Sequence, residues 1–492
     1  MKSILKLFGP LLDENEVDFI KNNKKLNKGF SKKKYFKSIF VETQMDYTYI
    51  RMIQEVIKKH PNNQFIGYYP NKFIFKLKEL ILVLPFILRL LIYRRDFKRN
   101  KKLYNSIGVL KVFKIENLSL KNRIKNLFYS FRCLFNLKNN KSLIGLKVSN
   151  IRVGDLIYDS YLRYHNRPTF GNKNYLNFIF HLTRVLNTFQ LIEIINKNYS
   201  FDSVFSIYAS YVHHGSIVRW FLKKNIDVFT SGTDQKLFKK QNKNFPFESL
   251  DHTNYMLSFL KLKNTKELSL KGINSLQKRF KGVPDLNYMF KSSYKKNNLQ
   301  LKTEYDGVIF LHDFFDCVHL YRNMIFDDFY QWTIYLLDMI SEFNLNIGIK
   351  PHPLQRTESK NICFKLMKQY PNHSWIDPDI SNTNIFNSGI KFGLSVYGTV
   401  LSELAFHNII PISCGDNPTS SFNFTFEAKS IKEYRRLILD HKNLKLPKNY
   451  MEQIGQFYYM HYINNSSDID IKISNEILEK KYINYDSSIL NL

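Results

Sequence analysis

The chain has few cysteines for its length, and none of them are spaced to pair. Four occur among 492 residues: Cys133, Cys317, Cys363 and Cys414. They lie far apart, no two form a CxxC pair, and no zinc-finger spacing is present. We therefore expect no disulfide framework and a protein kept in a reducing compartment.

Acidic residues are also scarce. The sequence has 42 Asp and Glu against 73 Lys and Arg, a formal net charge of +31. Such an excess attracts polyanions, which include nucleic acid, anionic lipid and phosphorylated substrates. The basic residues are spread along a chain rich in Lys, Asn and Ile, and no arm, recognition helix or RNP-type motif concentrates them. Nucleic acid is therefore not expected as a partner.

The sequence lacks an uninterrupted apolar run. Its most apolar stretch, residues 74–93 (IFKLKELILVLPFILRLLIY), is broken by charged residues and a proline. A membrane-spanning helix needs roughly 20 mostly apolar residues, so this one is expected to be buried in the first lobe or to lie in the membrane interface. The N-terminus has no signal-peptide core or cleavage site. We predict a cytoplasmic protein with peripheral contact to the anionic inner face of the cytoplasmic membrane, through cations at Arg89, Arg94, Arg95 and Lys98.

Short apolar strands and amphipathic helices alternate along most of the chain. One series starts at residues 38–43 (SIFVET) and ends near 230, and a second runs from 307–311 (GVIFL) to 409–413 (IIPIS). Alternation of this kind predicts βαβ units on parallel sheets. The expected fold is α/β, with two Rossmann-like doubly wound lobes and a cleft between them. We predict lobes at 1–300 and 301–430, and a helical tail at 431–492 that packs back across them.

In the second series, loops that follow strands carry the polar residues, and ligands of doubly wound sheets bind at such strand ends. Lys350 and His352 belong to a Lys-Pro-His-Pro sequence after one strand, and its prolines fix the backbone. A cation and a rigidly held imidazole are suited to a phosphate or diphosphate.

The next strand end leads into a helix. Ser395, Gly398 and Thr399 precede or open that helix, so hydroxyls, a close backbone approach and a helix N-terminus are available to a phosphate. Glu403 lies one turn further on, where its carboxylate can accept hydrogen bonds from ribose hydroxyls. These six residues, Lys350 and His352 included, are the predicted donor-binding set.

Acid–base candidates come from both halves. His312 and Asp313 follow the strand at 307–311, and proton transfer or substrate hydrogen bonding is expected there rather than a metal site. In the first half, Asp155 and Asp159 are further candidates for the catalytic base. Arg163, His213 and His214 lie in segments expected to face the cleft from the acceptor side.

The motifs of the second half resemble those of GT-B-fold glycosyltransferases that build bacterial capsules and surface polysaccharides. The resemblance is carried by HDFFDCVH at 312–319, IKPHP at 349–353 and SVYGTVLSELAFHNIIPISCG at 395–415, with GDLIYDSYLR at 154–163 and YASYVHHGSIVRW at 208–220 in the first half. It implies that the C-terminal lobe holds a nucleotide donor and the N-terminal lobe an acceptor. In related capsule Kdo- and sialyltransferases, an HP motif contacts the donor phosphate with help from a Ser/Thr pair; His352, Ser395 and Thr399 match these positions. The acidic base motif of those families is not found, so inversion or retention stays open.

From these patterns the expected function is transfer of a sugar from a nucleotide-activated donor to a growing polysaccharide or lipid-linked acceptor. A CMP-linked donor is favoured over UDP- or GDP-linked ones, and no metal or other cofactor is expected. Two alternatives stay open: a sugar-nucleotide 2-epimerase-like enzyme of the same fold, and a non-catalytic capsule assembly or export protein.

Overall fold

The structure is a computed structural model. It describes residues 9–26, 37–70, 83–134, 137, 140–171, 175–231, 238–244, 246–247, 252–283, 299, 301 and 303–464. The strands are β1 Lys37–Glu42, β2 Asn63–Tyr68, β3 Val109–Phe113, β4 Lys147–Val148, β5 Ile151–Arg152, β6 Phe201–Ser206, β7 Asp227–Thr230, β8 Lys239–Lys240, β9 Gly307–Phe310, β10 Ile347–Lys350, β11 Ser374–Trp375, β12 Phe392–Ser395, β13 Ile410–Ser413 and β14 Phe426–Glu427.

The α-helices account for most of the remaining described residues. They are α1 Glu14–Leu26, α2 Tyr47–Lys59, α3 Val83–Ser106, α4 Leu120–Leu134, α5 Asn140–Ile144, α6 Gly154–His165, α7 Tyr175–Tyr199, α8 Ser216–Lys223, α9 Tyr255–Leu260, α10 Thr265–Phe280, α11 Phe329–Phe343, α12 Thr357–Gln369, α13 Asn382–Phe386, α14 Val400–Phe406, α15 Ile431–Leu439 and α16 Tyr450–Tyr458.

Two six-stranded sheets with the same topology organise the chain. The first has the order β3-β2-β1-β6-β7-β8 and the second β11-β10-β9-β12-β13-β14. All pairings are parallel except that of β8 with β7. Apart from that antiparallel edge strand, each sheet has the 3-2-1-4-5-6 order of a doubly wound fold. The predicted fold class, two Rossmann-like lobes, is confirmed.

In each sheet the side chains alternate between two helical layers, because successive residues of a strand point to opposite faces. In β1, Ile39 and Val41 pack into the core with α2, whereas Phe40 packs into the core that contains α6, α7 and α8. In β9, Val308 and Ile309 divide in the same way between two cores. Both sheets are therefore covered on both faces, which requires the near-continuous apolar strands seen in the sequence.

Helices α9 and α10 pack with the second lobe, although they precede the predicted boundary at residue 300. Phe259 and Leu276 share a core with Ala405 of α14 and Phe457 of α16. Helix α10 crosses α16 so closely that a Cβ added to Gly272 would lie 2.0 Å from the carbonyl oxygen of Gly455. By packing, the second lobe begins near residue 252. The described part of the tail contacts α9, α10 and α14, and residues 465–492 lie outside the described residues.

One described helix could cross a membrane by length and composition. The stretch is Leu176–Tyr199 within α7, and 61% of its apolar window is buried inside the protein. It packs between α4 and α8 as a core helix of the first lobe. The apolar segment singled out in the sequence is described only from residue 83, where α3 begins.

The two lobes meet along α6. The Tyr158 hydroxyl donates to Asp328 Oδ2 at 2.7 Å, and Asp159 Oδ1 lies 2.7 Å from His319 Nδ1. Apolar residues of α6 and of the loop after β9, such as Ile157 and Phe314, belong to one contiguous core. Helix α6 therefore fixes how the strand ends of one sheet face those of the other.

Candidate functional site

The strand order reverses once in each sheet, between β1 and β6 in the first lobe and between β9 and β12 in the second. At such a switch point the connections leave in opposite directions and open a crevice beyond the strands' carboxyl ends. Predicted site residues lie at both places. His213 and His214 follow β6 in the first lobe, whereas the residues of the second lobe lie at or after the ends of β9, β10 and β12. Asp155, Asp159 and Arg163 lie on α6, which precedes β6.

At the second switch point the structure brings together His312, Ser395 and Gly398, as the sequence predicted. His312 Nε2 lies 3.2 Å from Ser395 Oγ. A Cβ added to Gly398 would lie 3.0 Å from Ser395 Oγ and 3.6 Å from His312 Cε1, so a larger residue would crowd the Ser395 hydroxyl. The His312 ring packs against both Phe329 and Tyr397, with a centroid distance of 4.8 Å to each.

Burial and the neighbouring His352 lower the pKa of His312 to about 3. The imidazole is therefore neutral near pH 7. It can donate or accept a hydrogen bond there, but it supplies no positive charge to a phosphate.

His352 belongs to the same neighbourhood, and its side chain is half-buried. Its Nδ1 accepts from the backbone amide of Leu354 at 3.1 Å, which leaves the proton of a neutral ring on Nε2. Burial, which outweighs the carboxylates of Asp313 and Asp316, lowers the pKa of His352. The turn thus presents a neutral N–H donor in a fixed orientation.

The structure assigns Lys350 a role other than the predicted phosphate contact. Its side chain is buried, and Nζ donates to the carbonyl oxygen of Ile380 at 2.7 Å and to the side chain of Asn382. Burial lowers the pKa of Lys350 to about 7. The ammonium therefore holds the β10 end to the segment before α13, and the predicted free cation is absent from this position.

Thr399 and Glu403 are held by an arginine that the sequence did not single out. Arg279, at the end of α10, donates from Nη2 to Thr399 Oγ1 at 3.1 Å, and its Nε lies 3.1 Å from Glu403 Oε1. The predicted ribose contact of Glu403 is at odds with this buried ion pair. Arg279 instead fastens the start of α14 to the helical layer formed by α10 and α16.

The loop after β9 builds a second set of contacts towards the first lobe. Both carboxylate oxygens of Asp313 accept from backbone amides, at 2.9 Å from Phe315 and 2.7 Å from Arg356. Asp313 therefore shapes the loop rather than presenting a base. Asp316 is exposed, and its Oδ1 accepts from the amide of Cys317 at 2.9 Å.

Arg163 of α6 lies near this loop, where Asp313 and Asp316 act on its charge, and its acceptor-side role stays a prediction. Burial works against its charge, but Tyr211 and Asp316 outweigh burial and raise the pKa of Arg163. The guanidinium stays protonated and is half-buried. It is the cation that the structure offers at the cleft in place of Lys350.

The two candidate bases on α6 have other partners. Asp155 is buried and lies 2.6 Å from Arg219 Nη1 and 3.4 Å from Arg152 Nε. Asp159 accepts from both the ring and the backbone amide of His319. These partners explain why the two carboxylates occur on this helix. Asp155 joins α6 to α8, and Asp159 joins the first lobe to the second. Neither is placed as a catalytic base.

The first switch point contains a buried carboxylate that the sequence reasoning missed. Glu42, the last residue of β1, contacts the side chains of His214, Ser206 and Gln44. Burial alone would raise the pKa of Glu42, but these partners together lower it. A glutamate closing an apolar strand was the available signal, because a charge there needs buried partners.

His213 and His214 occupy a π-helical turn, Tyr211–Gly215, that follows β6. Tyr211 opens it with a φ of 57°, a conformation that a bulky residue adopts only under constraint. The rings of His213 and His214 are 4.0 Å apart, and His213 bonds the Tyr164 hydroxyl at 2.9 Å from Nε2. Both histidines are buried, so they shape the acceptor side rather than line its surface.

Within the described ranges, no group of three or more His, Cys, Asp or Glu side chains is arranged to hold a metal ion. The His- and Asp-rich loop at 312–319 is no exception, because its side chains are engaged with backbone amides, aromatic rings and the first lobe. Metal independence of the chemistry stays a prediction.

Comparisons with known proteins give weak similarities only. No protein-family model matches the chain, and no curated protein sequence is significantly similar. Two solved structures of Thermosulfurimonas dismutans KpsC, the beta Kdo 2,4 transferase and the beta Kdo 2,7 transferase, are 10% identical, with TM-scores of 0.33 and 0.30. The matches cover 52% and 54% of this chain and 79% of each of the two KpsC chains.

A third structure is UDP-GlcNAc 2-epimerase from Neisseria meningitidis bound to UDP-GlcNAc. It is 10% identical, with a TM-score of 0.24, and the match covers 86% of this chain and 96% of the epimerase. Scores this low carry no argument about function. The fold assignment therefore rests on the strand order of the two sheets.

Proposed function

We propose that the protein is a glycosyltransferase that moves a sugar from a nucleotide-activated donor to a surface polysaccharide or a lipid-linked acceptor. The observation that carries the proposal is the pair of switch points that face each other across α6. A two-substrate reaction needs two binding crevices whose reacting groups meet, and this arrangement provides them.

The donor is assigned to the second lobe. The His352 Nε2–H, the His312–Ser395 pair and the close backbone approach at Gly398 lie together at one crevice, and Arg163 reaches the rim from the first lobe. Preorganised donors of this kind stabilise the charge that develops on a leaving phosphate. One protonated arginine together with neutral donors is suited to a donor with one phosphate rather than a diphosphate. A CMP-linked sugar is therefore favoured over UDP- or GDP-linked sugars.

We assign the role of general base to Asp316. Its carboxylate is exposed beside Arg163 and Tyr211, at the side of the cleft where the acceptor is expected. A base must reach the hydroxyl proton of its substrate, and the buried Asp155, Asp159 and Glu42 do not offer that access. Replacement by Asn keeps the shape and removes the base.

Nucleotide binding tests the proposal directly. Thermal stabilisation by CMP, UDP and GDP is measured on the purified full-length protein, since a ligand that binds the folded state alone raises its stability. We expect stabilisation by CMP that exceeds that by UDP and GDP. Response to UDP or GDP alone would refute the cytidine preference, and no response to any nucleotide would refute the enzyme assignment in favour of an assembly protein.

Product analysis then separates transfer from epimerisation. With the stabilising sugar nucleotide, a transferase releases nucleotide only when acceptor is present, whereas an epimerase converts the sugar without acceptor. Turnover is expected to persist in a chelator, because Arg163 and the preorganised neutral donors are proposed to stabilise the leaving phosphate. Asp316→Asn should lose turnover and keep nucleotide stabilisation, with the exposed Asp338→Asn as a control that keeps both.

A further inference from the structure

Helix α4 carries an exposed apolar stripe on the outside of the first lobe. Leu120, Ile124, Phe128 and Phe131 follow one another at helical spacing, and Leu120 and Phe128 are 64% and 66% exposed. Monomeric soluble proteins rarely leave such a contiguous row in water, so the stripe calls for an occupant.

The opposite side of α4 packs against α7. Asn126 donates to Asn187 and Gln190 of α7 at 2.9 Å each, and Ser130 Oγ accepts from Thr183 at 2.9 Å. Polar residues thus bind α4 to the protein while large apolar ones face outwards. Cys133 and Leu134, at the end of α4, also pack against the core, so the outward stripe is apolar surface beyond what the packing of this helix buries.

Cations border the stripe. Lys121, Lys125 and Arg132 are exposed beside it, and α4 contains no acidic residue. On a helical wheel the three cations lie next to Phe128, on the same side as the stripe and away from α7. Exposed Leu, Ile and Phe flanked by Lys and Arg are the composition that binds an anionic bilayer surface.

Helix α3 extends the surface at the corner where α4 begins. The Tyr93 hydroxyl of α3 donates to Glu116 at 3.1 Å, four residues before the start of α4. Upstream of that contact, Ile87 and Leu91 are 45% and 44% exposed, one turn apart on the same face. The sequence of α3 holds seven Lys and Arg against one Asp.

We propose that the stripe of α4, with its flanking cations and the start of α3, docks the protein on an anionic membrane surface. The side chains of the stripe enter the interface between headgroups and acyl chains, and the cations contact lipid phosphates. The proposal is independent of the donor and acceptor assignments. It places the membrane contact mainly on α4, whereas the sequence had placed it around residues 74–95 alone.

The test is flotation of the full-length protein with phosphatidylcholine vesicles, with and without phosphatidylserine, at low and raised salt. The wild-type protein should float with the anionic vesicles at low salt. Its flotation should weaken as salt screens the cations. Phe128→Ser with Phe131→Ser should weaken partitioning by on the order of tenfold or more, the loss expected for apolar side chains that leave a nonpolar phase.

Helix α12 supplies the matched control, since Phe364 there is 59% exposed and lies beside exposed lysines. Phe364→Ser should float like wild type. If the double serine variant loses its fold by circular dichroism, Lys121→Glu with Lys125→Glu carries the test, against Lys360→Glu with Lys365→Glu. Equal flotation of α4 and α12 variants overturns the proposal. So does binding to single-stranded RNA without binding to vesicles, which would assign the surface to nucleic acid.

Discussion

His352 presents one ring nitrogen to the cleft because the other accepts from the backbone of its own turn. A side chain held this way loses little freedom when a ligand binds, so its hydrogen bond is strong where charge develops. The sequence predicted this residue from its two flanking prolines, and the structure adds the tautomer.

We expect His352→Ala to lower the turnover of donor by on the order of 10²–10³, the usual effect of removing one preorganised donor. Steady-state kinetics with the sugar nucleotide identified by stabilisation measure the change. His373→Ala, which alters a histidine on the far side of the second lobe, is the control and should keep wild-type rates. Unchanged turnover in a folded His352→Ala protein would exclude this residue from the site.

Lys350 gives stability a dependence on pH. Its pKa is about 7 in the folded protein against an ordinary value of 10.5. Between these values the unfolded chain binds a proton that the folded protein does not, so the free energy of unfolding rises with pH. The contribution is at most about 1.4 kcal/mol per pH unit.

Urea unfolding at pH 7 and pH 9 measures this contribution. Lys350→Met should flatten the rise, and Lys368→Met, which alters an exposed lysine of α12, should leave it as in wild type. A Lys350→Met protein with the wild-type slope would show that the buried ammonium keeps its proton.

Individual site residues were predictable where local sequence determines their setting. The prolines beside His352 and the glycine before α14 are such local signals, because they lie within a few positions of the site residues that they indicate. No local signal marks Arg279, and Glu42 has only its place at the end of an apolar strand, because their partners Glu403 and His214 are 124 and 172 positions away. Asp313 was preferred over Asp316 for the same reason: the two backbone amides that occupy Asp313 are visible only in the folded loop.

At the scale of elements, the start of α14 depends on α10. Arg279 holds Thr399 and Glu403, and α10 in turn lies against α16 at the Gly272 crossing. The backbone at the start of α14, in the proposed donor site, is therefore supported by α10 and α16, which are distant from it in sequence.

Arg279→Ala should destabilise the protein by roughly 3–5 kcal/mol, because it leaves the buried Glu403 without its guanidinium. Arg279→Met combined with Glu403→Gln should recover most of that loss. Chemical unfolding compares both with Arg435→Ala, which breaks an exposed pair with Glu342 and should cost about 0–1 kcal/mol. Equal losses for Arg279→Ala and Arg435→Ala would contradict a buried ion pair.

Most elements of the two sheets were predictable, because their apolar periodicity is strong and turn residues bound them. The helix predicted over residues 47–59 coincides with α2, and the strands around the second switch point agree within a residue. Helices α4 and α7 were not predicted. Helix α7 is apolar all round and so lacks the amphipathic pattern that marks a helix in sequence, whereas the apolar residues of α4 do recur at helical spacing and could have predicted it.

At the scale of the whole molecule, Asp159 and His319 form one of the polar contacts between the lobes. Burial opposes the charge on His319, but Asp159 outweighs it and raises the pKa of that ring. Burial also raises the pKa of Asp159, so the pair carries both charges only between the two pKa values: it weakens as pH rises through that of His319 and as pH falls through that of Asp159.

Asp159→Ala should lower stability by roughly 3–5 kcal/mol and separate the unfolding of the two lobes, since it leaves a buried imidazole without its carboxylate. Calorimetry below neutral pH is the measurement, with the surface variant Asp338→Ala as the control. One unaltered transition in Asp159→Ala would mean that the apolar core alone couples the lobes.

Helix α6, along which the two lobes meet, also limits how they can move. Domains joined by a polar, wet interface swing freely about a linker, but α6 is packed into one contiguous core with the loop after β9. Opening by a wide hinge would expose that core to water. We therefore expect the lobes to move by small sliding of packed side chains along α6, a shear rather than a hinge, with the cleft changing width by little.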